Sequence, residues 1–262
     1  MSANKHEVLV NLPEGQISLL IDSRVMAPSP YSHFLADNLP NLNGADVADL
    51  GTGCGIQAIV ALKRGAKRVF LLDSNQAAVD NAFENTVRNG FANQVVSLEA
   101  GDQLNPLGRT KVDAIICNPS SLPMPLPDKE SSFYYAGPEG RYMIHELLLY
   151  TKMHLNEGGQ LLLVHTSLAN LPKTMEELGY QGLKAKSLAQ RMIPLRDFYN
   201  KHWIDEIGGR DTGLYSLDKG TPYETLHLLK IEPDLLYRPQ SSCLFREDCV
   251  IYSRDGRRMT GR

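Results

Sequence analysis

Long apolar runs are missing from this sequence. The first fifteen residues, MSANKHEVLVNLPEG, lack the apolar core of a secretory signal peptide. No stretch approaches the roughly 20 apolar residues that a membrane-spanning helix needs. The sequence therefore predicts a cytoplasmic protein with no membrane partner.

Cysteine is scarce, and familiar metal and nucleophile patterns are absent. The cysteines at positions 54, 117, 243 and 249 include no Cys-x-x-Cys pair. We interpret all four as free thiols in a reducing compartment, with a Cys243–Cys249 bridge as the alternative. The histidines show no metal-ligand spacing, and no Gly-x-Ser-x-Gly motif occurs. The sequence thus predicts no metal site and no serine-hydrolase chemistry.

Neither positive nor negative side chains are in large excess. The net charge of −3 and the pI near 6.2 make a nucleic acid an unlikely main partner, although the last ten residues, SRDGRRMTGR, are basic. With 42% apolar and 22% charged residues, the chain has a composition typical of folded proteins. Its 262 residues suit one large α/β domain with a smaller appendage.

What the sequence does contain is an alternation of strand-like and helix-like segments. Apolar runs such as ADVADL, KRVFLL and DAIIC alternate with helical runs such as GIQAIVALK and NQAAVDNAFENTVR. Strands that are apolar throughout are typical of a parallel sheet covered on both faces. Right-handed crossovers then wind the chain to both sides. The prediction is an α/β fold with a doubly wound, mostly parallel seven-stranded sheet.

The chain is predicted to divide into three parts. Residues 1–40 form a hairpin about a Pro-Glu-Gly turn and then a helix capped by Ser29. Residues 41–232 form the main α/β domain, in which the segment 189–221 separates the last two strands. Residues 233–262 form a C-terminal tail.

The most informative motif is ADLGTGCGIQA, residues 48–58. A strand ends at Asp49-Leu50, and glycines follow at positions 51, 53 and 55. Glycine lets the chain turn sharply and lets backbone approach a ligand with no Cβ in the way. The following helix presents its N-terminus to the same place. The dinucleotide spacing Gly-x-Gly-x-x-Gly is absent, which argues against an NAD-dependent enzyme; a tight turn without a ligand is the other alternative.

Two acidic residues follow the next two strands. Asp73 ends the second strand about twenty residues later, where a carboxylate can accept hydrogen bonds from a ribose diol. Asp102 follows the third strand and can accept from the exocyclic amine of an adenine, while Gln103 supplies a backbone N–H. Asp102 alone is more typical of a turn. All these residues follow consecutive strands, so they meet at the sheet edge where open sheets bind ligands.

A further feature is IICNPSS, in which a strand stops at Asn118-Pro119. Proline has no N–H to continue a ladder, so a plain loop is one interpretation. The other is that the Asn118 carboxamide and the adjoining carbonyl face a ligand.

Together, DLGTGCG, LLDSN, AGDQL and CNPSS resemble the class I S-adenosylmethionine-dependent methyltransferases, most closely the amino-group methylating branch with its Asn-Pro-Pro-Tyr motif. The resemblance covers roughly residues 25–166. It implies a Rossmann-like fold and S-adenosylmethionine as the cofactor of the 41–232 domain. The cofactor-binding residues that it implies are Asp49, Gly51, Thr52, Gly53, Gly55, Asp73, Ser74, Asp102, Gln103 and Asn118.

The resemblance also implies the catalytic residues. In the family, the side chain at Asn118 and the carbonyl next to it, at Pro119, accept hydrogen bonds from the planar amino group of the substrate. This holds the acceptor nitrogen in line with the sulfonium methyl group. Catalysis is then mostly positioning, and no strong base is needed if the proton leaves after transfer.

Two departures from the family concern the substrate. Ser120 and Ser121 stand where the family has a proline and an aromatic that stacks on a flat substrate. The candidates to contact the substrate in its place are Tyr31, Ser120, Tyr134 and Tyr135. The second departure is the segment 189–221, which is either a lid over a small-molecule pocket or an outer helix packed on the core. Its candidate substrate residues are Tyr199, His202 and Trp203, with His202 as a candidate acid–base group.

Three functions remain open from the sequence. The first is N-methyl transfer to an amino or amide nitrogen, with a small-molecule amine as the favoured acceptor, a protein side chain second and nucleic acid third. The second is a cyclase or lyase in which the cofactor's own α-amine attacks its side chain and releases methylthioadenosine. The third is a regulatory protein that binds the cofactor without turnover. The sequence leaves the oligomeric state open.

Overall fold

The structure is a computed structural model that describes residues 4–123, 136–195 and 215–237, and the backbone of residues 251–252 and 258–259. Within these ranges no helix is both long enough and apolar enough to cross a membrane. The predicted site residues that lie outside the described residues are Tyr134, Tyr135, Tyr199, His202 and Trp203.

An antiparallel hairpin forms the first described part of the chain. Strand β1 (Lys5–Leu12) pairs with β2 (Gly15–Asp22), and Lys5 lies opposite Asp22. The turn uses Gly15 at a φ of +104°, which glycine adopts without strain. Alternate side chains of β2 are buried, whereas most of β1 is exposed. The predicted N-terminal hairpin is therefore confirmed, and one of its strands packs against the rest of the domain.

Helix α1 (Pro30–Asn38) begins as its sequence predicts. The Ser29 side chain accepts a hydrogen bond from the Ser32 N–H, and the Ser32 side chain accepts one from the Ser29 N–H. This reciprocal capping box satisfies two N–H groups that have no partner within the helix. Pro30 occupies the first helical position, where its missing N–H costs nothing.

The central sheet is mostly parallel, as predicted, and the structure adds the order of its strands. Its strands are β3 (Asp46–Leu50), β4 (Arg68–Leu72), β5 (Val95–Ser97), β6 (Val112–Cys117), β7 (Leu155–Thr166), β8 (Leu183–Pro194), β9 (Ser216–Asp218) and β10 (Thr221–Pro233). Seven of them run in the order β5-β4-β3-β6-β7-β10-β8, and short β9 pairs with β10. The first five are parallel, and β10 is antiparallel to its neighbours. The mostly parallel seven-stranded sheet is confirmed, with β9 as an addition.

Helices cover both faces of this sheet. The remaining elements are α2 (Ile56–Lys63), α3 (Gln76–Arg88), α4 (Tyr142–His154), α5 (Leu171–Tyr180), two 3-10 turns (Asn105–Leu107 and Ser167–Ala169) and a two-stranded ribbon, β11 (Ile251–Tyr252) with β12 (Arg258–Met259). Helices α1 to α3 pack on one face, and α4 and α5 on the other. Along β3, Val47 enters the first core and Ala48 the second, because successive strand residues point to opposite faces. The doubly wound arrangement is confirmed.

Strand ends differ from the prediction late in the chain. The pattern predicts a strand over GLKAKSL, but β8 continues to Pro194, which pairs with Tyr223 of β10. Most of β8 is exposed at the sheet edge, so its side chains are polar and hide the strand from an apolar pattern. Strands thus occupy both ends of the segment 189–221, and its middle, 196–214, lies outside the described residues. The lid remains a prediction.

Two of the cysteines are described. Cys54 and Cys117 are buried free thiols, as predicted. Burial raises the pKa of Cys54 to about 11, so the thiol stays protonated at neutral pH. Cys243 and Cys249 lie outside the described residues.

Candidate functional site

A cleft with a volume of about 1320 Å³ lies at the carboxyl ends of β3, β4 and β6. Of the residues predicted to bind the cofactor, all except Gly55 line it, as do Tyr31, Pro119 and Ser120. Parallel strands present their carboxyl ends at one edge, so motifs about twenty residues apart in sequence meet there. The structure therefore brings the predicted residues into one site.

The glycines of the glycine-rich loop have different surroundings. The N–H groups of Gly51 and Thr52 both donate to the Leu72 carbonyl, at 2.8 and 3.0 Å, which ties the loop to β4. A Cβ on Gly53 would meet only a backbone oxygen of its own loop at 3.9 Å, so space is left there for a ligand. A Cβ on Gly55 would lie 2.8 Å from the Ala82 Cα of α3. The packing against α3 thus by itself requires glycine at position 55.

We predict that Gly55→Ala lowers the free energy of unfolding by about 2 kcal/mol, because it combines a φ of +82° with backbone overlap at α3. The matched variant Gly53→Ala also has a positive φ but meets no neighbouring element, so we expect a loss of about 1 kcal/mol. Urea unfolding of both variants measures this. Equal losses would contradict the packing role of Gly55.

Asp49 is a buried acid beneath this loop. Its Oδ2 accepts hydrogen bonds from the Thr52 hydroxyl at 2.7 Å and the Ala58 N–H at 3.1 Å. Burial raises the pKa of Asp49 to about 7, although these two hydrogen bonds act in the opposite direction. The site therefore holds a carboxyl group that titrates near neutral pH and whose ionised form a neighbouring cation would favour.

We expect Asp49→Asn to stabilise the ligand-free protein at alkaline pH. A pKa raised above the unfolded value means that the folded state holds the proton more tightly, so the contribution of Asp49 to stability falls as the pH rises towards 7. The difference in unfolding free energy between the variant and the unmodified chain should therefore be about 2 kcal/mol more favourable to the variant at pH 8 than at pH 5. Urea unfolding at the two pH values tests this. A difference that does not change with pH would mean that Asp49 ionises freely in the folded state.

Asp73 connects the loop to α3. Its Oδ2 accepts from the Gly53 N–H at 3.1 Å, and its Oδ1 accepts from the Asn75 N–H at 2.9 Å. A carboxylate has about four acceptor positions, so each oxygen can accept one hydrogen bond more. Because Asp73 lines the cleft, its remaining lone pairs are available to a pair of ligand hydroxyls.

Asp102 and Gln103 form the far end of the cleft. Asp102 is exposed, and its carbonyl accepts from the Asn105 N–H at 3.1 Å. Gln103 has a φ of +50°, an unusual value for a residue with a side chain. Its Oε1 is buried and makes no hydrogen bond within the described part of the chain. A buried acceptor without a partner is costly, and a ligand N–H or O–H here would satisfy it.

The sequence interpretation missed Ser32 on α1 and Gln57 on α2. Asn118 donates from Nδ2 to the Ser32 hydroxyl at 3.4 Å, and Gln57 donates from Nε2 to the Ser32 carbonyl at 2.8 Å. Gln57 is 5% exposed, and its Oε1 has no hydrogen-bond partner among the described residues. Residues 24–29 also line the cleft. The capping pattern of α1 indicates where the helix begins, but nothing in the sequence places it beside Asn118.

Tyr31 is only partly available as a substrate residue. Its ring lines the cleft, but its hydroxyl donates to the fully buried Glu224 carboxylate, with both oxygens 2.6 Å away. The Thr166 hydroxyl donates to the same carboxylate. Ser121 is buried, whereas Ser120 lines both the cleft and a second cavity of about 690 Å³.

The second cavity adjoins the cleft beyond Ser120, between α4 and α5. Its described cations already have partners. Arg141 donates to the Glu177 carboxylate at 2.6 Å, and Lys173 pairs with Glu139 at 2.6 Å. His145 lies 3.4 Å from Glu177, and hydrogen bonding to this carboxylate raises the pKa of His145. The cavity is large enough for part of an acceptor molecule.

The charges of the cleft favour a cationic ligand. In the described lining, the side chains of aspartate, glutamate, arginine and histidine are Arg24, Asp49, Asp73, Asp102, Glu146 and His154. Arg24 is already paired with Asp22 at 2.8 Å. Acids therefore outnumber cations, so the cleft repels a pyrophosphate and attracts a positively charged nucleoside. No group of three or more metal-ligating side chains occurs in the described ranges.

The sequence of this chain is similar to those of known methyltransferases. Residues 29–186 match the family described as Methyltransferase small domain. A protein of Methanocaldococcus jannaschii that carries the provisional name protein N5-glutamine methyltransferase is 29% identical over 186 residues, which are 69% of this chain and 92% of that protein. Ribosomal RNA large subunit methyltransferase G of Pseudomonas savastanoi pv. phaseolicola is 30% identical over 146 residues, which are 53% of this chain and 36% of that protein.

A solved structure extends the comparison to the fold. The E. cuniculi Mtq2–Trm112 complex, described as methylating the translation termination factor eRF1, superposes with a TM-score of 0.54 at 20% identity. The match covers 80% of this chain and 98% of the other. At this identity the likeness shows the fold alone, and it is the same α/β fold.

Proposed function

The chain belongs to the methyltransferase small-domain family, and on that premise we propose that it methylates an amino or amide nitrogen held by Asn118. It is an S-adenosylmethionine-dependent methyltransferase. The observation that carries the proposal is the position of the Asn118 carboxamide, which lies in the same acidic cleft as the glycine-rich loop.

The residues present fit the cofactor. Asp73 has acceptor positions for a ribose diol, and Gln103 has a buried Oε1 that a donor on the nucleoside would satisfy. Asp49 places a carboxyl group beneath the loop, where a cation favours its ionised form. The cofactor supplies a methyl group on a sulfonium, which is a good leaving group.

Asn118 would orient the acceptor nitrogen. Because its Nδ2 donates to the Ser32 hydroxyl, its Oδ1 is the end left to accept a hydrogen bond. An acceptor N–H matches this oxygen, whereas a deprotonated oxygen nucleophile would be repelled. The Pro119 carbonyl would take a second N–H. The Asn118 Oδ1 and the Pro119 carbonyl accept hydrogen bonds but are not strong bases. They therefore suit an acceptor nitrogen that keeps its proton until after methyl transfer.

The acceptor class is inferred from the names of the relatives and from the two acceptors at Asn118 and Pro119. The names of the relatives state protein glutamine, ribosomal protein L11 or ribosomal RNA as acceptors. We therefore place a glutamine side chain of a protein first, since an amide NH2 fits the two acceptors described above. A small-molecule amine stays a prediction motivated by the negative net charge and by the predicted lid in the segment 189–221. The RNA-directed relative makes nucleic acid an acceptor class to be tested as well.

The first experiment incubates the purified protein with S-adenosylmethionine alone and then with acceptor panels, and identifies the nucleoside product by mass spectrometry. The panels are glutamine-containing proteins such as translation release factors, ribosomal RNA and small amines. Adenosylhomocysteine formed together with an N-methylated acceptor is the expected result. Methylthioadenosine formed without an acceptor would instead mean that the cofactor's own amine attacks its side chain, and N-methyl transfer would be rejected.

A further inference from the structure

Two asparagines of α3 and a third at its C-cap bind the edge of β2 that faces away from β1. They are Asn81, Asn85 and Asn89, one helical turn apart. Asn81 accepts from the Asp22 N–H at 3.2 Å and donates to the Leu20 carbonyl at 2.7 Å. Asn89 also donates to the β2 backbone. These side chains satisfy backbone groups that β1, on the other side of β2, does not reach.

Asn85 reaches further than the other two. Its Oδ1 accepts from the Leu20 N–H at 2.8 Å, and its Nδ2 donates to the Leu20 carbonyl at 3.0 Å. The same Nδ2 donates to the Cys54 carbonyl at 2.9 Å. Asn85 is fully buried, so these contacts are shielded from water. One carboxamide thus joins the hairpin, α3 and the glycine-rich loop.

The loop depends on α3 at this point. Cys54 lines the cleft, and the next residue, Gly55, lies so close to Ala82 that a Cβ there would overlap it. The Cys54 carbonyl is fixed from the same side by Asn85. Both N–H groups of the carboxamide are engaged, and its oxygen is held by Leu20. If β2 moved away from α3, the Leu20 backbone would no longer hold the amide, and the Cys54 carbonyl would lose an oriented donor.

We propose that Asn85 is a positioning residue of the cofactor site, through which docking of the hairpin and affinity for S-adenosylmethionine are coupled. The hairpin lies outside the cleft, yet it orients the carboxamide that holds Cys54 in place. Coupling of this kind is reciprocal, so bound cofactor also holds the hairpin on α3. The inference rests on cofactor binding in the cleft and does not depend on which acceptor is methylated.

The test compares Asn85→Ala with Asn81→Ala. Asn81 is 2% exposed, lies one turn away and binds the same strand, but makes no hydrogen bond to the loop within the described residues. We expect both variants to unfold at lower urea concentration. Only Asn85→Ala should bind S-adenosylmethionine about five- to tenfold more weakly in calorimetry, the effect of losing one buried hydrogen bond. Only Asn85→Ala should also shift the amide resonance of Gly55, which belongs to the peptide group of the Cys54 carbonyl.

A second variant keeps the test decisive if Asn85→Ala does not fold. Asn85→Asp preserves the shape and the acceptor for the Leu20 N–H, but its ionised carboxylate offers no donor to the Cys54 and Leu20 carbonyls, which both accept from Nδ2 of asparagine. It should show the same loss of cofactor affinity. Equal affinity losses in the Asn81 and Asn85 variants, or none in either, would overturn the positioning role. If the unmodified chain fails to bind S-adenosylmethionine, the assignment of the cleft fails instead, so the two failures are distinguishable.

Discussion

In a calorimetric titration, Asp73→Ala is expected to bind S-adenosylmethionine about 100-fold more weakly than the unmodified chain. The Asp73 carboxylate keeps acceptor positions that face the cleft after it has bound the N–H groups of Gly53 and Asn75. Two hydrogen bonds from ribose hydroxyls to a charged acceptor are together worth about 3 kcal/mol. The substitution also frees the Gly53 N–H and so loosens the loop.

A matched control separates this effect from that of removing any negatively charged side chain. Asp80 lies on α3 and is exposed. Among the described residues, its side chain accepts a hydrogen bond only from the Gln76 side chain, at 2.8 Å. Asp80→Ala should therefore leave cofactor affinity unchanged. Urea unfolding of both variants checks that they are folded. If Asp73→Ala binds as tightly as Asp80→Ala, the ribose assignment is wrong.

For Asn118→Ala we expect a large loss of methyl transfer and almost no change in affinity for the cofactor. Methyl transfer to the acceptor identified by product analysis should fall about 1000-fold, as when a positioned hydrogen-bonding group is removed from an active site. Affinity for S-adenosylmethionine should change less than threefold or so, because Asn118 acts on the acceptor and not on the nucleoside. Single-turnover rates and calorimetric titrations measure the two quantities separately.

The control for Asn118 is Asn93→Ala, an exposed asparagine that does not line the cleft. It should retain both turnover and binding. A loss of cofactor affinity in Asn118→Ala as large as that in Asp73→Ala would contradict the division of roles. Such a result would favour the cyclase alternative, in which Asn118 contacts the cofactor itself.

Local patterns were sufficient to locate most of the candidate cofactor site. The runs that contain Asp49 and precede Asp73 are apolar enough to identify buried strands, and topology then places their carboxyl ends, together with the end of the short, partly exposed β5 before Asp102, at one edge. The pattern was less informative for β8, because an edge strand exposes a polar face and its apolar content falls. Gly55 shows another limit. Its spacing indicated a ligand contact, whereas its neighbour in space is Ala82 of α3.

The sequence by itself determined the fold class, the succession of strands and helices along the chain, and the edge at which the glycine loop, Asp73, Asp102 and Asn118 meet. These depend on periodicity and on the handedness of connections, which are properties of short segments. Only the tertiary structure decided which end of the Asn118 carboxamide faces Ser32 and that Asn85 joins the hairpin to the loop. Such contacts link elements 31 to 86 residues apart. They are set by how helices pack on the sheet, and no local pattern records that packing.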